Sequence, residues 1–175
     1  MPVDIRSIQA PIREGFKRDP SSAAIKLTVS SAASDLSDPL HCAIAPDSVG
    51  DVVWHSGAHP AVGGKGDVPC SADLLLGALA ACQATTLRMV AANLGIELES
   101  LEVKVTGDWD PRGTLAMGKE FPIGLTGIHS ATTLKVKGDF DGERAERFLR
   151  SAEKYCVILN TLRNGVSVES TFQMR

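Results

Sequence analysis

Hydrophobic and polar positions alternate regularly enough in four stretches to predict an element. Across residues 74–94 (LLLGALAACQATTLRMVAANL) the first half is apolar nearly all round, which predicts a helix buried on several sides. Ser71 is placed to cap it, and Asp73 falls in a first turn that favours a carboxylate. Gly95 stands where a helix-ending glycine belongs. Residues 101–108 (LEVKVTGD) alternate with period two and predict a strand. Residues 128–136 predict another, with Thr132, Leu134 and Val136 on one face. Asp141 then opens a second helix, in which Ala145, Phe148, Leu149, Ala152, Cys156, Leu159 and Leu162 form one continuous apolar seam.

The remaining stretches carry weaker patterns. Residues 11–18 (PIREGFKR) suit a short helical turn that Asp19-Pro20 ends. Residues 24–30 and 40–45 read as two strands around the polar turn SAASDLSDP, and residues 51–55 as a further short strand. A Gly- and Pro-rich loop, SGAHPAVGGKGDVPC, leads to the first long helix. Asn164-Gly165 signals a turn before a closing strand, VSVESTFQ. Strands, helix, strands, helix and strand in this order predict an α+β fold rather than alternating βαβ units. The chain reads as one domain, residues 1–175. A helix as apolar as 74–81 calls for a second layer or a second subunit to cover it.

Composition narrows the function classes. The chain has 18 basic and 21 acidic residues, a net charge of −3, and no Lys/Arg stripe, which argues against a nucleic-acid partner. Asp4, Arg6, Arg13 and Glu14 interrupt the amino terminus, where a secretory signal would need an apolar run. Gln83, Thr85, Thr86, Arg88 and Asn93 make 74–94 polar for a membrane span. A cytoplasmic protein without membrane or cofactor is the expectation. The four cysteines (Cys42, Cys70, Cys82, Cys156) contain no CxxC and read as thiols.

Chemistry enters through two of those thiols. Cys82 and Cys156 each lie on an apolar helix face, so packing of those faces would bring the sulfurs within disulfide range. Taken singly, each reads first as a small core hydrophobe, and only the pair brings the redox reading level with that. Cys70 is twelve residues before Cys82, about 18 Å of helical rise, too far to bridge it. Cys42 lies in a strand and reads as core. GGKG at 63–66 lacks phosphate-loop spacing and reads as a mobile turn. His55, His59 and Cys70 lack the spacing of a metal site.

The stretches CSADLLLGALAACQATTLRMVAANLGI, LESLEVKVTGDWD and SAEKYCVILNTL together resemble the OsmC/Ohr family of osmotically inducible and organic hydroperoxide resistance proteins. The resemblance runs from about His59 to the end. It implies an OsmC-like fold: an intertwined homodimer with two long central helices between antiparallel sheets. It also implies a thiol peroxidase acting on organic hydroperoxides, with Cys82 as reactive and Cys156 as resolving cysteine, reduced by an external dithiol. A small-molecule binding protein of the same fold is the alternative.

Three positions depart from the family pattern. Ala72 stands where many members carry a glutamate, and Asp73 beside it points nearly opposite Cys82 on a helix. Val157 follows Cys156 where the commoner pattern is Cys-Pro. The family's thiolate-stabilising arginine comes from the amino-terminal region, where Arg6 and Arg13 are the candidates. An apolar wall raises a thiol's pKa, and Cys82 is about three turns from its own helix N-terminus. A cation is therefore expected to hold the thiolate, giving a Cys82 pKa below the free-thiol value but only modestly so.

Overall fold

A computed structural model describes residues 3–31, 35–138 and 141–174. The chain forms two compact units, one of residues 1–77 and 105–130, the other of 78–104 and 131–175.

In the first unit, α1 (Ile5–Arg18) begins six residues earlier than the predicted turn. Asp4 explains the start, accepting hydrogen bonds from the Arg6 and Ser7 amides. Pro11 lies inside the helix, where it lacks only one backbone donor. The helix stops at Asp19, as expected, and a 3-10 turn (Pro20–Ala23) follows. Three antiparallel strands come next: β1 (Val29–Ser31), β2 (His41–Pro46) and β3 (Trp54–Gly57), with β2 central. Cys42 sits opposite Ser56 in that register. The strand predicted at 24–30 shrinks to its last residues, and Ile25 and Leu27 are exposed. Three residues of the predicted polar turn, 32–34, lie outside the described residues.

The loop after β3 is a folded-back connection rather than a phosphate cradle. Gly63 adopts φ +98° to end the short turn Pro60–Val62, and a Cβ on Gly64 would run into the Ala58 carbonyl. The Gly57 amide and the Ser56 hydroxyl both donate to the Pro69 carbonyl, at 3.1 and 3.0 Å. His41, between Asp38 (2.8 Å) and Asp67 (3.1 Å), ties the same loop to β2. These bonds deliver the buried Cys70 to the start of α2 (Ser71–Leu94). Ser71 is the first helical residue rather than the cap predicted for it. Cys70 fills the capping position: its carbonyl accepts the first helical bond, from Leu74, and its amide donates to Asp73 Oδ2 at 2.9 Å. The first turn thus uses Asp73 for capping, consistent with its predicted place near the helix dipole.

The second unit holds the hydrophobic core. Leu87, Ala91 and Ile96 pack with Phe148 and Ala152, and Leu134 and Val136 close over them. Helix α2 ends in a glycine motif: Gly95 at φ +67°, its amide bonded to Ala92 and the Ile96 amide to Ala91. The strands β4 (Leu98–Trp109) and β5 (Leu125–Val136) pair as a two-stranded ribbon. Lys137 meets Glu97 and Lys135 meets Glu99, so the numbers run in opposite senses and the pair is antiparallel. A single helical turn, α3 (Pro111–Thr114), separates them and belongs to the first unit.

Two predictions for this unit are corrected. The seam after Asp141 is divided between two helices, α4 (Gly142–Tyr155) and α5 (Val157–Asn164), with Cys156 extended between them at φ −76°, ψ 107°. The side-chain amide of Asn160 donates toward the carbonyls of Cys156 (2.8 Å), Lys154 (3.1 Å) and Glu153 (3.4 Å). It thereby offers those carbonyls an alternative to the helical bond, which apolar periodicity cannot register. The predicted closing strand after Gly165 is also absent: among the described residues, 166–174 belong to no strand, and Val166, Val168 and Phe172 are exposed. A strand needs a neighbour for its ladder, and alternation alone does not provide one.

The two halves of α2 also differ from the prediction of burial on several sides. Leu79, Thr86, Leu87 and Ala91 are buried, but Leu75 is 41% exposed and Ala78 and Ala81 are exposed as well. By length and composition alone α2 could cross a membrane, with a mean hydropathy of 1.5. Its second half instead lies in the core just described.

Candidate functional site: a thiol pair at a helix break

Cys82 lies on the third turn of α2, half-buried, and Cys156 is fully buried at the break between α4 and α5. Both are free thiols, within hydrogen-bonding reach of each other. The two helix faces do bring these sulfurs together, as their seams suggested. The break matters for this arrangement. It turns the first turn of α5 toward Cys82, whose sulfur accepts from the backbone amides of Ile158 and Val157. A helix N-terminus presents such amides without helical partners and favours negative charge. The Thr86 hydroxyl, buried one turn along α2, donates to the same sulfur.

These donors set the two thiols apart. Burial pushes the Cys82 thiol up, but the Ile158 amide, the Cys156 thiol, the Thr86 hydroxyl and the Val157 amide together bring it below the ordinary thiol value. Cys156 moves the other way. Burial pushes it up, and although the Leu159 amide works against this, the hydrogen bond to Cys82 and the Cys82 charge raise it further. Ionisation is therefore easier at Cys82 than at Cys156, with the Cys156 thiol placed to donate to the Cys82 sulfur.

The Cys82 shift has the direction expected from the sequence, and within the second unit hydrogen bonds, first that of the Ile158 amide, supply it. Cys82 is indeed far from the start of its own helix; the amides come from a different helix. Arg6 and Arg13 are on α1, in the first unit, where Arg13 donates to Gln9 at 3.0 Å. The dominant missed residues are Thr86 and Asn160. Thr86, four residues after Cys82, could have been found from helical spacing.

The other candidates have ordinary structural roles. His59 Nδ1 accepts from the Ala61 amide, and its ring meets Trp109 edge-on. Among the described residues no group of three His, Cys, Asp or Glu side chains could hold a metal ion. Cys70 donates to Asp73, whose carboxyl is held below the usual range first by the Cys70 amide. Ala72 lines a cavity of about 340 Å³ in the first unit, with His59, Leu75, Trp109 and Ile123. A second cavity, about 480 Å³, lies in the second unit beside Arg88, Ala91, Ile96 and Leu101.

A family model described as OsmC-like protein matches residues 64–171, more than half of the chain and inclusive of both thiols. The chain belongs to the OsmC-like family. Solved structures agree on the fold of this OsmC-like protein. An OsmC-like protein from Mycoplasma pneumoniae is 20% identical with a TM-score of 0.62, over 81% of this chain and 90% of that one. An organic hydroperoxide resistance protein OsmC from Legionella pneumophila is 18% identical with a TM-score of 0.53, over 83% and 95%. A third, an organic hydroperoxide resistance protein from Elizabethkingia anophelis, is 16% identical with a TM-score of 0.55, over 81% and 90%. No curated protein matches the OsmC-like chain.

Proposed function

We propose that this OsmC-like protein is a thiol-dependent peroxidase that reduces organic hydroperoxides, with Cys82 as nucleophile and Cys156 as resolving thiol. The observation that carries the reading is the opposite displacement of two adjacent thiols, Cys82 downward and Cys156 upward. A peroxidase of this kind needs a thiolate to attack and a neighbouring thiol to condense with the product. The Cys82 thiolate attacks one oxygen of the hydroperoxide, the O–O bond breaks, and the alkoxide leaves as alcohol after taking a proton. Cys82 is left as a sulfenic acid. The Cys156 sulfur attacks it, its proton joins the departing hydroxide as water, and a disulfide forms. An external dithiol returns both sulfurs to thiols by exchange. The two sulfurs suffice, without a cofactor.

Arg6 and Arg13, carried over from the family resemblance, would add their charge to a field the amides already provide. We read residues 1–175 as a single domain, because α2, β4 and β5 each run through both units. We also read the working form as a homodimer in the cytoplasm, without nucleic-acid or membrane partners. Leu75 on α2, Ile8, Ile12 and Phe16 on α1, and Val168 and Phe172 in the tail together expose much apolar surface for one chain. A second copy is the occupant that covers it. Light scattering at micromolar concentration is expected to give the dimer mass, and a well-folded monomer would refute this part.

The peroxidase reading is tested by consumption of cumene hydroperoxide in the presence of dithiothreitol. The natural chain is expected to consume it, and Cys82→Ser to fall to the background rate. Equal rates would overturn the reading. Binding without turnover is the second reading, favoured by Ala72 and the cavity beside it. It predicts ligand-dependent stabilisation of a chain that leaves the hydroperoxide intact.

A further inference from the structure

The break that aims α5 at Cys82 has no proline to enforce it, yet Cys156 holds an extended conformation between two helices. Left to its backbone, a Tyr155-Cys156-Val157 sequence has no reason to interrupt a helix: none of the three is glycine or proline, and the apolar seam runs straight through. What opposes continuation is Asn160. Its side-chain amide reaches back to three carbonyls, those of Glu153, Lys154 and Cys156, while its backbone amide donates to Cys156 at 3.1 Å. The first two carbonyls belong to the last turn of α4, beyond which the regular helical bonds stop and only the Cys156 amide, 3.4 Å from the Glu153 carbonyl, continues the backbone pattern. Asn160 thus adds a side-chain cap to the end of α4 from within α5.

We infer that Asn160 is a positioning residue of the thiol pair: it holds the helix break open so that the first-turn amides of α5 are aimed at Cys82. The inference rests on the peroxidase reading for its purpose but on the hydrogen bonds for its geometry. It also gives a meaning to Val157. A proline there would force the preceding Cys156 into the extended region and set the break unaided. It would also delete the Val157 amide, one of the donors to the Cys82 sulfur. With valine the donor is kept, and the break depends on Asn160 instead.

Four forms of the full chain decide the matter: natural, Asn160→Ala, Val157→Pro and the double variant. The rate of alkylation by iodoacetamide at Cys82 is followed across pH by peptide mass spectrometry, with circular dichroism to check the fold. With the natural Val157, Asn160→Ala is expected to slow Cys82 alkylation at neutral pH by roughly tenfold and move its pH midpoint upward. Added to Val157→Pro, the same change is expected to have little effect, because proline already sets the break. This non-additivity is what a merely structural role would not produce.

An Asn160→Ala chain with native circular dichroism and an unchanged Cys82 profile would overturn the inference. If that single variant does not fold, the comparison of Val157→Pro with the double variant decides. Equal profiles there support the inference; a double variant slower than Val157→Pro means that Asn160 acts by another route and overturns it. Alkylation needs no peroxide, so the failures separate. A low Cys82 midpoint without hydroperoxide consumption counts against the peroxidase reading alone.

Discussion

The third turn of α2 and the break between α4 and α5 each carry a buried or half-buried thiol on an apolar seam, yet they treat it in opposite ways. At Cys82 hydrogen bonds from the Ile158 and Val157 amides, the Cys156 thiol and Thr86 outweigh burial; at Cys156 burial and the neighbouring Cys82 outweigh the amides of Leu159 and Ile158. Burial is common to both, so burial does not decide reactivity. Both sulfurs also meet first-turn amides of α5; what separates them is that Cys82 gains the Cys156 thiol and the Thr86 hydroxyl as further donors, whereas Cys156 faces the Cys82 charge. Two cysteines indistinguishable by periodicity thus acquire distinct chemical parts from a single interruption of the backbone.

The comparison is broken most severely by exchanging either sulfur for oxygen. Cys82→Ser is expected to lower hydroperoxide consumption by several orders of magnitude, since it removes the proposed nucleophile. Cys156→Ser is expected to leave the first reaction with peroxide intact and abolish the disulfide. Peptide mass spectrometry after excess hydroperoxide should then show Cys82 advanced to sulfinic acid. An intact disulfide involving Cys82 and a different cysteine would assign resolution elsewhere.

A smaller effect concerns pH, and its sign differs for the two thiols. The folded chain binds Cys82's proton less tightly than the unfolded chain does, so this group's stabilisation is present above the ordinary thiol pKa. It is lost as pH falls through the lowered folded value. Cys156 is the reverse: its stabilisation is present below the ordinary thiol pKa and is lost as pH rises through the raised folded value. Thermal melts of the natural chain are therefore expected to weaken on the alkaline side of the thiol range, and Cys156→Ser to weaken less there. A steeper alkaline loss in that variant would contradict the assignment.

The smallest expected effect sharpens the account of the donors. Thr86→Val keeps the side chain's shape and removes one hydroxyl among several donors to Cys82. One such bond corresponds to about 1 kcal/mol, so Cys82 alkylation near neutral pH should slow by about fivefold. A chain that melts normally but shows no slowing would remove Thr86 from the site.

Much of the fold was legible because it depends on local chemistry. Asp141 caps α4, Gly95 ends α2 and the alternation at 101–108 lies within β4. Where the expectation failed, the missing information was not local. The segment after Gly165 alternates like a strand but pairs with no strand among the described residues, and the first half of α2 buries Leu79 but leaves Leu75, Ala78 and Ala81 exposed. Of the site, both sulfurs could be identified and their approach anticipated from two apolar seams. The break at Cys156 could not, because it arises from the Asn160 side chain acting on carbonyls up to seven residues back, a polar interaction invisible to hydrophobic periodicity. Once the break is missed, the amides it presents are missed too.

The break has a consequence for how the site responds to its surroundings. A mobile guanidinium beside a thiolate is a full charge at the edge of solvent, and dissolved ions weaken such an interaction over about 8–10 Å at moderate ionic strength. The amides of Val157 and Ile158 are dipoles fixed in the backbone next to a sulfur that is itself half-buried. These peptide units already point at the sulfur and need no reorientation when the thiolate forms. The reactivity of Cys82 should accordingly be tied to the folding of α5 rather than to the salt around it, persisting across dilute and concentrated buffers until the helix itself gives way.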